Sequence, residues 1–436
     1  MACLVVSLNK RLTEEEIVED IIGLENAWSL VYYRPDLDRC FIGRDVFGRF
    51  SLVWTADQDV LVISALVQQE IQSSWNDVPY GQITAIDLKT QVARMYSFLE
   101  EYPDSADVIW REHFAKMEFA WRREKMELLT ISRMLAKTTK DYSTELKSRL
   151  VKISAQYLIN DTKEVMVAFS GGVDSLLIVL TLIQAAPPSM VIRLVNVAFG
   201  QDDKAFSEAP DRHLLRALAA WPFLKKVDSQ SRLRLILVNV RPEELELNRK
   251  MFIYKAATPA RSVLDDSLAC VLWFALRAVG RDLESGQPSS YTGEQVFVGS
   301  GADELFAGYA RHRTRFEKEG IDAAITECEG ELRRLGLRNG GRDARVAKIV
   351  GRTLIAPFLV DDLVRWANKL PMNAKCDLSL PRGLGEKKII RDCLKQLGAP
   401  YNAPKQAMQF GSRMAKMSNS SKEVKGSDLS EHLVIE

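Results

Sequence analysis

Two short stretches combine residue types that could hold a phosphate chain. The first, Ser170-Gly171-Gly172-Val173-Asp174-Ser175, lies between the apolar run Val165 to Phe169 and a second apolar run that ends near Leu182. Glycines at 171 and 172 permit positive φ and let backbone N–H groups approach an anion closely. Ser170 and Ser175 add hydroxyl donors, and a helix capped near Asp174 and Ser175 would contribute its positive end. Alone, the hexapeptide also fits a tight strand-to-helix turn. Two other phosphate loops are excluded, because there is no Gly-x-x-x-x-Gly-Lys-Ser/Thr run and the glycine spacing is not that of a dinucleotide fold. The second stretch, Gly299-Ser300-Gly301-Ala302-Asp303-Glu304, follows "QVFV". By itself it reads as a glycine-rich turn with a solvated acidic end.

The elements around these stretches alternate. After Lys163 come "EVMVAF" then "SLLIVLTLIQAA", "MVIRLVNVAF" then "RHLLRALAAW", "LRLILVNV", and "QVFVG" before "ADELFAGYARH". Strands separated by helices predict a mainly parallel sheet covered on both faces, an α/β fold. Residues from Ala27 to Leu88 read instead as β structure, with "WSLVYY" and "CFIG" flanking the turn-like "RPDLD". From Val108 to Leu158 the pattern is charged and helix-favouring. These shifts divide the chain into a first domain at 1–107, a helical connection at 108–160, a second domain at 161–417 and a polar tail at 418–436 that is expected to be mobile.

"SGGVDS" after a strand resembles the loop of the ATP pyrophosphatases, and "VFVGSGADELFAGYARHR" resembles the second ATP-site loop of the asparagine synthetase family. "GEKKIIRDCL" is similar to that family's Glu-Lys-x-Ile-Leu-Arg helix. "APKQAMQFGSRMAK", with "LPRGLGEK" and "VLDDSLACVLWFA", is similar to the family's domain-containing branch. These blocks span Lys163 to Met417 in the family's order. The resemblance implies a doubly wound, mainly parallel sheet of the ATP pyrophosphatase (PP-loop) type. It also implies ATP cleaved between its α and β phosphates, a carboxylate turned into an acyl-adenylate, and Mg-pyrophosphate as leaving group. The implied cofactors are ATP and Mg²⁺, and the implied partner is a small carboxylate, aspartate in the family.

By position, Asp174 and Asp303 match the family's magnesium ligands; Mg²⁺ takes few carboxylates plus phosphate oxygens and water, which suits one aspartate from each loop. Ser170, Gly171, Gly172, Ser175, Gly299, Ser300 and Gly301 match the nucleotide loops. Lys387 and Lys405 match lysines that steady phosphate and adenylate charge, although each also reads as a solvated helix lysine. Val197 and Ala198, with Phe199, match the strand end that offers backbone contacts to adenine, and a plain core strand accounts for them equally well. Ser300 stands where the family usually has a glutamate that handles the proton of attacking ammonia. An unassisted hydroxyl is a poor base, and general-base help is typically worth about 10²–10⁴ in rate. Thr353, Ile355 and Val360 likewise replace charged family residues in "GRTLIAPFLVDD".

"WSLVYYRPDLDRCFIGRDVFGRFSLVW" resembles later strands of the N-terminal-nucleophile glutaminase domain joined to these synthetases, including its Arg-Asp-x-Phe-Gly signature at Arg44 to Gly48. The implied fold of 1–107 is a partial glutaminase-like (class II amidotransferase) α+β domain. In the family the nucleophile is a cysteine exposed as the first residue, whose free amine serves as base. Here Ala2 would be exposed instead, leaving Cys3 as a small apolar residue. Glutamine hydrolysis is therefore not expected, and the open edges of a partial sandwich would suit a protein partner.

Composition bounds the rest. The chain has 436 residues, 47% hydrophobic and 27% charged, with a formal charge of +1, the balance of a two-domain globular protein without a nucleic-acid footprint. Six scattered cysteines and four histidines have no zinc or iron-sulfur spacing. No run is long enough to span a bilayer and no secretory signal opens the chain, so a reducing, cytoplasmic setting is expected. The sequence leaves three readings: a carbon-nitrogen ligase of asparagine synthetase type, a PP-loop enzyme with another acceptor, and a nucleotide-binding pseudoenzyme whose role is interaction.

Overall fold

The computed structural model of the protein describes residues 8, 10–57, 60–68, 74–99, 106–135, 141–159, 162–213, 216–399, 406–418 and 425–430. It forms two units, one of residues 1–130 with 329–345, the other of residues 131–328 with 346–436.

In the first unit the alternating apolar and aromatic runs become β1 (Ser29–Arg34), β2 (Arg39–Arg44), β3 (Val53–Asp57), β4 (Val60–Ser64), β5 (Asn76–Asp77), β6 (Gln82–Asp87), β7 (Val92–Ser97) and β8 (Lys116–Trp121). One sheet has the order β1-β2-β6-β7-β8 and a smaller one β4-β3-β5. All pairings are antiparallel except β7 with β8. Ile42, Ile86 and Ala93 of the larger sheet share a core with Leu52, Trp54 and Val78, and with Trp110 from the helix Ala106–Glu112. The expectation of helix from Val108 to Leu158 is corrected here. "KMEFAW" alternates closely enough to pair as the edge strand β8, and among the described residues helix is confined to Ala106–Glu112, a short turn at Met126–Leu128, and Ser143–Tyr157.

Residues 329–345 complete this unit from far along the chain. Tyr80 donates its hydroxyl to Arg333 O at 2.6 Å, and Arg345 donates to Asp77 at 2.6 Å. A Cβ on Gly336 would stand 2.7 Å from the Tyr80 ring atom Cδ1, and one on Gly340 would overlap Gly48 O. Arg44 of the "RDVFG" turn is buried and donates to Phe50 O, Val78 O and Gly48 O. The turn thus serves as a socket.

The second unit is built on β9 (Glu164–Ala168), β10 (Val191–Phe199), β11 (Leu233–Val240), β12 (Val279–Asp282), β13 (Pro288–Ser290), β14 (Gln295–Phe297) and β15 (Thr353–Ile355), in the order β13-β12-β11-β10-β9-β14-β15. Pairings from β11 through β15 are parallel, whereas β12 and β13 add an antiparallel edge that the sequence pattern did not predict. Side chains alternate between faces. Met166, Val195, Val197, Ile236 and Val238 pack with the helix Val263–Arg277, while Val165, Val167, Leu194 and Leu235 are buried towards the other face. On that side the helices Ser143–Tyr157, Val173–Ala185 and Lys388–Gln396 pack together.

The chain begins this sheet at β9, adds β10 and β11 on one side, and then returns to place β14 and β15 on the other. Strand order reverses between β9 and β14, and in open α/β sheets the crevice beyond the carboxyl ends at such a switch is where ligands bind. Both glycine-bearing loops leave from there.

Two local expectations change. Residues 210–213 form turns and a bend, so the helix expected over "RHLLRALAAW" runs instead from Ala217 to Val227. Within the tail, residues 425–430 are held by hydrogen bonds from Leu264 N to Gly426 O and from Ser430 N to Arg261 O, with Leu429 bridged to Ser262. No helix among the described residues is long and apolar enough to cross a membrane.

Candidate functional site

The first loop leaves β9 and turns into the helix Val173–Ala185 at Gly172, which is the N-cap; Asp174 and Ser175 lie in the first turn rather than capping it. No side chain caps that helix end. Gly171 has φ +70°, and a Cβ there would lie 2.7 Å from Ala217 Cα, so backbone presses on backbone where only glycine fits. Gly172 N–H donates to Ser170 Oγ at 3.2 Å, and Ser175 Oγ donates to Gly172 O at 3.1 Å. The second loop leaves β14 and turns at Gly301 with φ +95°, tucked against Leu359, into the short helix Ala302–Leu305. A Cβ on Gly299 would lie 3.0 Å from Asp174 Cβ. The two loops touch.

Lys387 joins them. Its Nζ lies 2.6 Å from Asp174 Oδ2 and 2.7 Å from Asp303 Oδ1, and the side chain is 2% exposed. The backbone of Lys387 is left-handed, φ +53°, a conformation that costs a side-chain-bearing residue on the order of 1–3 kcal/mol and that marks functional sites. Its N–H donates to Phe306 O at 3.0 Å. Two carboxylates and one ammonium leave a net negative charge in a sheltered spot. Asp174 Oδ1 is buried without a hydrogen-bond partner. An acceptor so placed suits a divalent cation, and one carboxylate from each of two loops is what Mg²⁺ takes when phosphate and water fill its remaining positions. Among the described residues, no group of three or more His, Cys, Asp or Glu side chains could hold a metal without such help.

Val197 and Ala198 sit near the carboxyl end of β10, beyond the last β9 pairing at Val195, and both are buried. Phe199 N–H donates to Ser412 O at 2.9 Å, so this strand end is partly occupied by the chain itself. Ser300 is half-buried between Gly299 and Gly301. Lys405 lies outside the described residues. Thr353 and Ile355 begin and end β15, where Val298 N–H donates to Ile355 O, and Val360 is buried, so these replacements serve as edge strand and core.

Sequence reasoning missed a cluster behind the first loop. Asn196 donates to Phe169 O at 2.9 Å and to Asp211 O at 3.2 Å. Buried Asp211 pairs with buried Arg216 at 2.8 Å, and its N–H donates to Gly411 O at 2.9 Å. A Cβ on Gly411 would overlap the Asp211 carboxylate. The "QFGSRMAK" block is thereby held against the first loop, a relationship with no local signal. Arg212, wholly inside, has its pKa lowered to about 10 by burial. Burial also lowers His312 to about 4, so this histidine is neutral; its Nδ1 accepts from Tyr309 N–H at 3.3 Å. Tyr309 in turn donates its hydroxyl to Glu304 at 2.7 Å. Cys376 and Cys393 are pushed up to about 12 by burial, and neither is a nucleophile.

Residues 145–340 match the family model described as asparagine synthase. The chain carries an asparagine synthase domain. It is similar to the mouse asparagine synthetase domain-containing protein 1, at 29% identity over 95% of this chain and 82% of the relative. A yeast asparagine synthetase domain-containing protein is 26% identical over 95% of this chain and 75% of its own length. A putative glutamine-hydrolyzing asparagine synthetase of Methanocaldococcus jannaschii is 25% identical over 93% and 72%. The match to the asparagine synthase model includes Asp174 and Asp303 but stops short of Lys387, and its last residues, from 329, fold with the first unit.

Proposed function

We propose that the chain is an AMP-forming ligase of asparagine synthetase type, working on Mg-ATP and a small carboxylate, with aspartate the first candidate. The observation that carries this reading is Lys387 Nζ within ion-pair distance of both Asp174 and Asp303 at the switch point of one sheet. Ser170, Gly171, Gly172 and Ser175 would cradle the β and γ phosphates with backbone N–H and hydroxyl donors, aided by the uncapped helix end. Gly299, Ser300 and Gly301 would line the other wall, and the backbone at Val197 and Ala198 would receive adenine. Asp174 and Asp303 would hold Mg²⁺, which when bound supplies neutralising charge to the leaving pyrophosphate. Lys387 then turns its ammonium from the aspartates to the phosphate oxygens, and Lys405 is proposed as a second cation for the adenylate.

Acyl transfer to ammonia would follow, and the first unit, read as a glutaminase-like domain, would receive a protein partner. The setting we propose is cytoplasmic. A second reading, a nucleotide binder without amide synthesis, is favoured by Ser300, which offers no carboxylate to accept the proton of ammonia.

The test is incubation of the full chain with Mg-ATP, aspartate and ammonium, following pyrophosphate, AMP and asparagine. All three products support the ligase. Pyrophosphate without asparagine points to another acceptor, and tight ATP binding without cleavage points to the second reading.

A further inference from the structure

Lys387 is held in a disfavoured backbone conformation, so something must over-determine it. The residue before it is the obvious place to look. Glu386 is 5% exposed, and its carboxylate accepts Gly383 N–H at 2.8 Å and two donors of one guanidinium, Arg313 Nε at 2.8 Å and Nη2 at 2.7 Å. Arg313 spends its remaining nitrogen on Leu378 O at 2.5 Å and Leu380 O at 2.7 Å. The Glu386 carbonyl accepts Arg391 Nε at 2.9 Å. Both oxygens of the carboxylate and the carbonyl are therefore fixed immediately before the left-handed turn.

Arg313 belongs to the helix Ala310–Glu319, which follows the loop that carries Asp303. Its planar fork therefore ties the element after one metal-side aspartate to the segment that delivers Lys387, with a rigidity that a lysine in its place would lack. A bridge that served stability alone would have no need to sit one peptide bond from the strained residue.

We propose that Arg313 and Glu386 are positioning residues that set the reach of Lys387 Nζ between Asp174 and Asp303, a role that rests on the assignment of those three residues as the Mg-ATP site. Glu386→Gln keeps the Gly383 hydrogen bond but loses the charged fork, and Arg313→Lys keeps charge but loses planarity. Both release the lysine.

The primary readout needs no nucleotide: the rate of reductive methylation of Lys387 in the native full chain, resolved by peptide mass spectrometry, with Lys388 and Lys395 as internal references. A freed lysine should label about fivefold faster, the factor that corresponds to the lower end of the strain range. Lys388 and Lys395 should be unchanged, and thermal midpoint is measured alongside. In the same variants kcat for pyrophosphate release should fall about tenfold with KM for ATP changed less than about threefold, since the lysine acts on developing charge. Equal labelling of Lys387 in wild type and both variants overturns the proposal, as does acceleration that spreads equally to Lys388 and Lys395. If the wild-type chain shows no ATP chemistry but the labelling difference appears, the clamp stands and the ligase assignment falls.

Discussion

Gly308 lies against Lys387 so closely that a β-carbon on the glycine would overlap the lysine Cε and stand 2.9 Å from Asp303 Cγ. The absence of a side chain at 308 is what lets the ammonium reach both aspartates. Gly308→Ala should push Lys387 out of its bridge at a cost of about 1–3 kcal/mol in stability, as overpacking does. Nucleotide binding by isothermal calorimetry and urea unfolding check this; a variant with unchanged ATP affinity would show that the bridge plays no part in binding.

Removing the lysine has a distinct signature. Lys387→Met leaves Asp174 and Asp303 facing each other without a cation, and breaking a sheltered pair of this kind costs about 3 kcal/mol. A divalent cation can take the vacated place, so added Mg²⁺ alone should raise the melting temperature of Lys387→Met more than that of the wild type. An equal Mg²⁺ response in both would argue against the two aspartates as the ion's holders.

The two loop glycines should separate cleanly. Gly171 has positive φ and no room, so Gly171→Ala should lose at least about 2 kcal/mol and displace the loop. Gly172 has φ −75°, and a Cβ there meets only Ser170 Oγ, at 3.2 Å. Gly172→Ala should cost under about 1 kcal/mol. Chemical denaturation of the pair decides, and similar losses at both positions would contradict the packing described.

His312 gives a pH prediction with a definite sign. Its folded pKa is lowered to about 4 from an ordinary 6.5, because burial disfavours the charged ring. Between those values the unfolded chain binds a proton that the native state refuses, so the His312 contribution to stability is constant above about pH 6.5 and falls by up to about 3 kcal/mol as pH drops to about 4. In His312→Gln that part of the slope should vanish. Glu386, where burial is outweighed by backbone N–H groups and Arg313, is held below its usual range and loses its contribution only at lower pH. Unfolding midpoints from pH 8 to pH 4 compare the two proteins.

Both loops were legible because the chemistry that defines them is local: apolar strand, glycines, then acid. The juxtaposition of Asp174 with Asp303 followed from recognising one parallel sheet with two such loops, and strand order supplied the physical reason. Other features had no local trace. The clasp of Asp211 on Gly411 joins positions far apart in sequence, and the left-handed backbone of Lys387 falls on a residue type that does not advertise it. "KMEFAW" reads as helix because its charged residues favour one, whereas in the sheet Glu118 is spent on Arg94, its register partner on β7, at 2.9 Å. The short strands β12 and β13 carry glycine, proline and serine, which mark turns more often than strands.

The debt of the first unit to residues 329–345 also bears on how the protein comes into being. A growing polypeptide has Tyr80 and Asp77 in hand long before Arg333 and Arg345 are translated, so this unit stays unfinished, its socket open to water, until most of the second has left the ribosome. For the same reason no single cut in the gene yields two whole pieces.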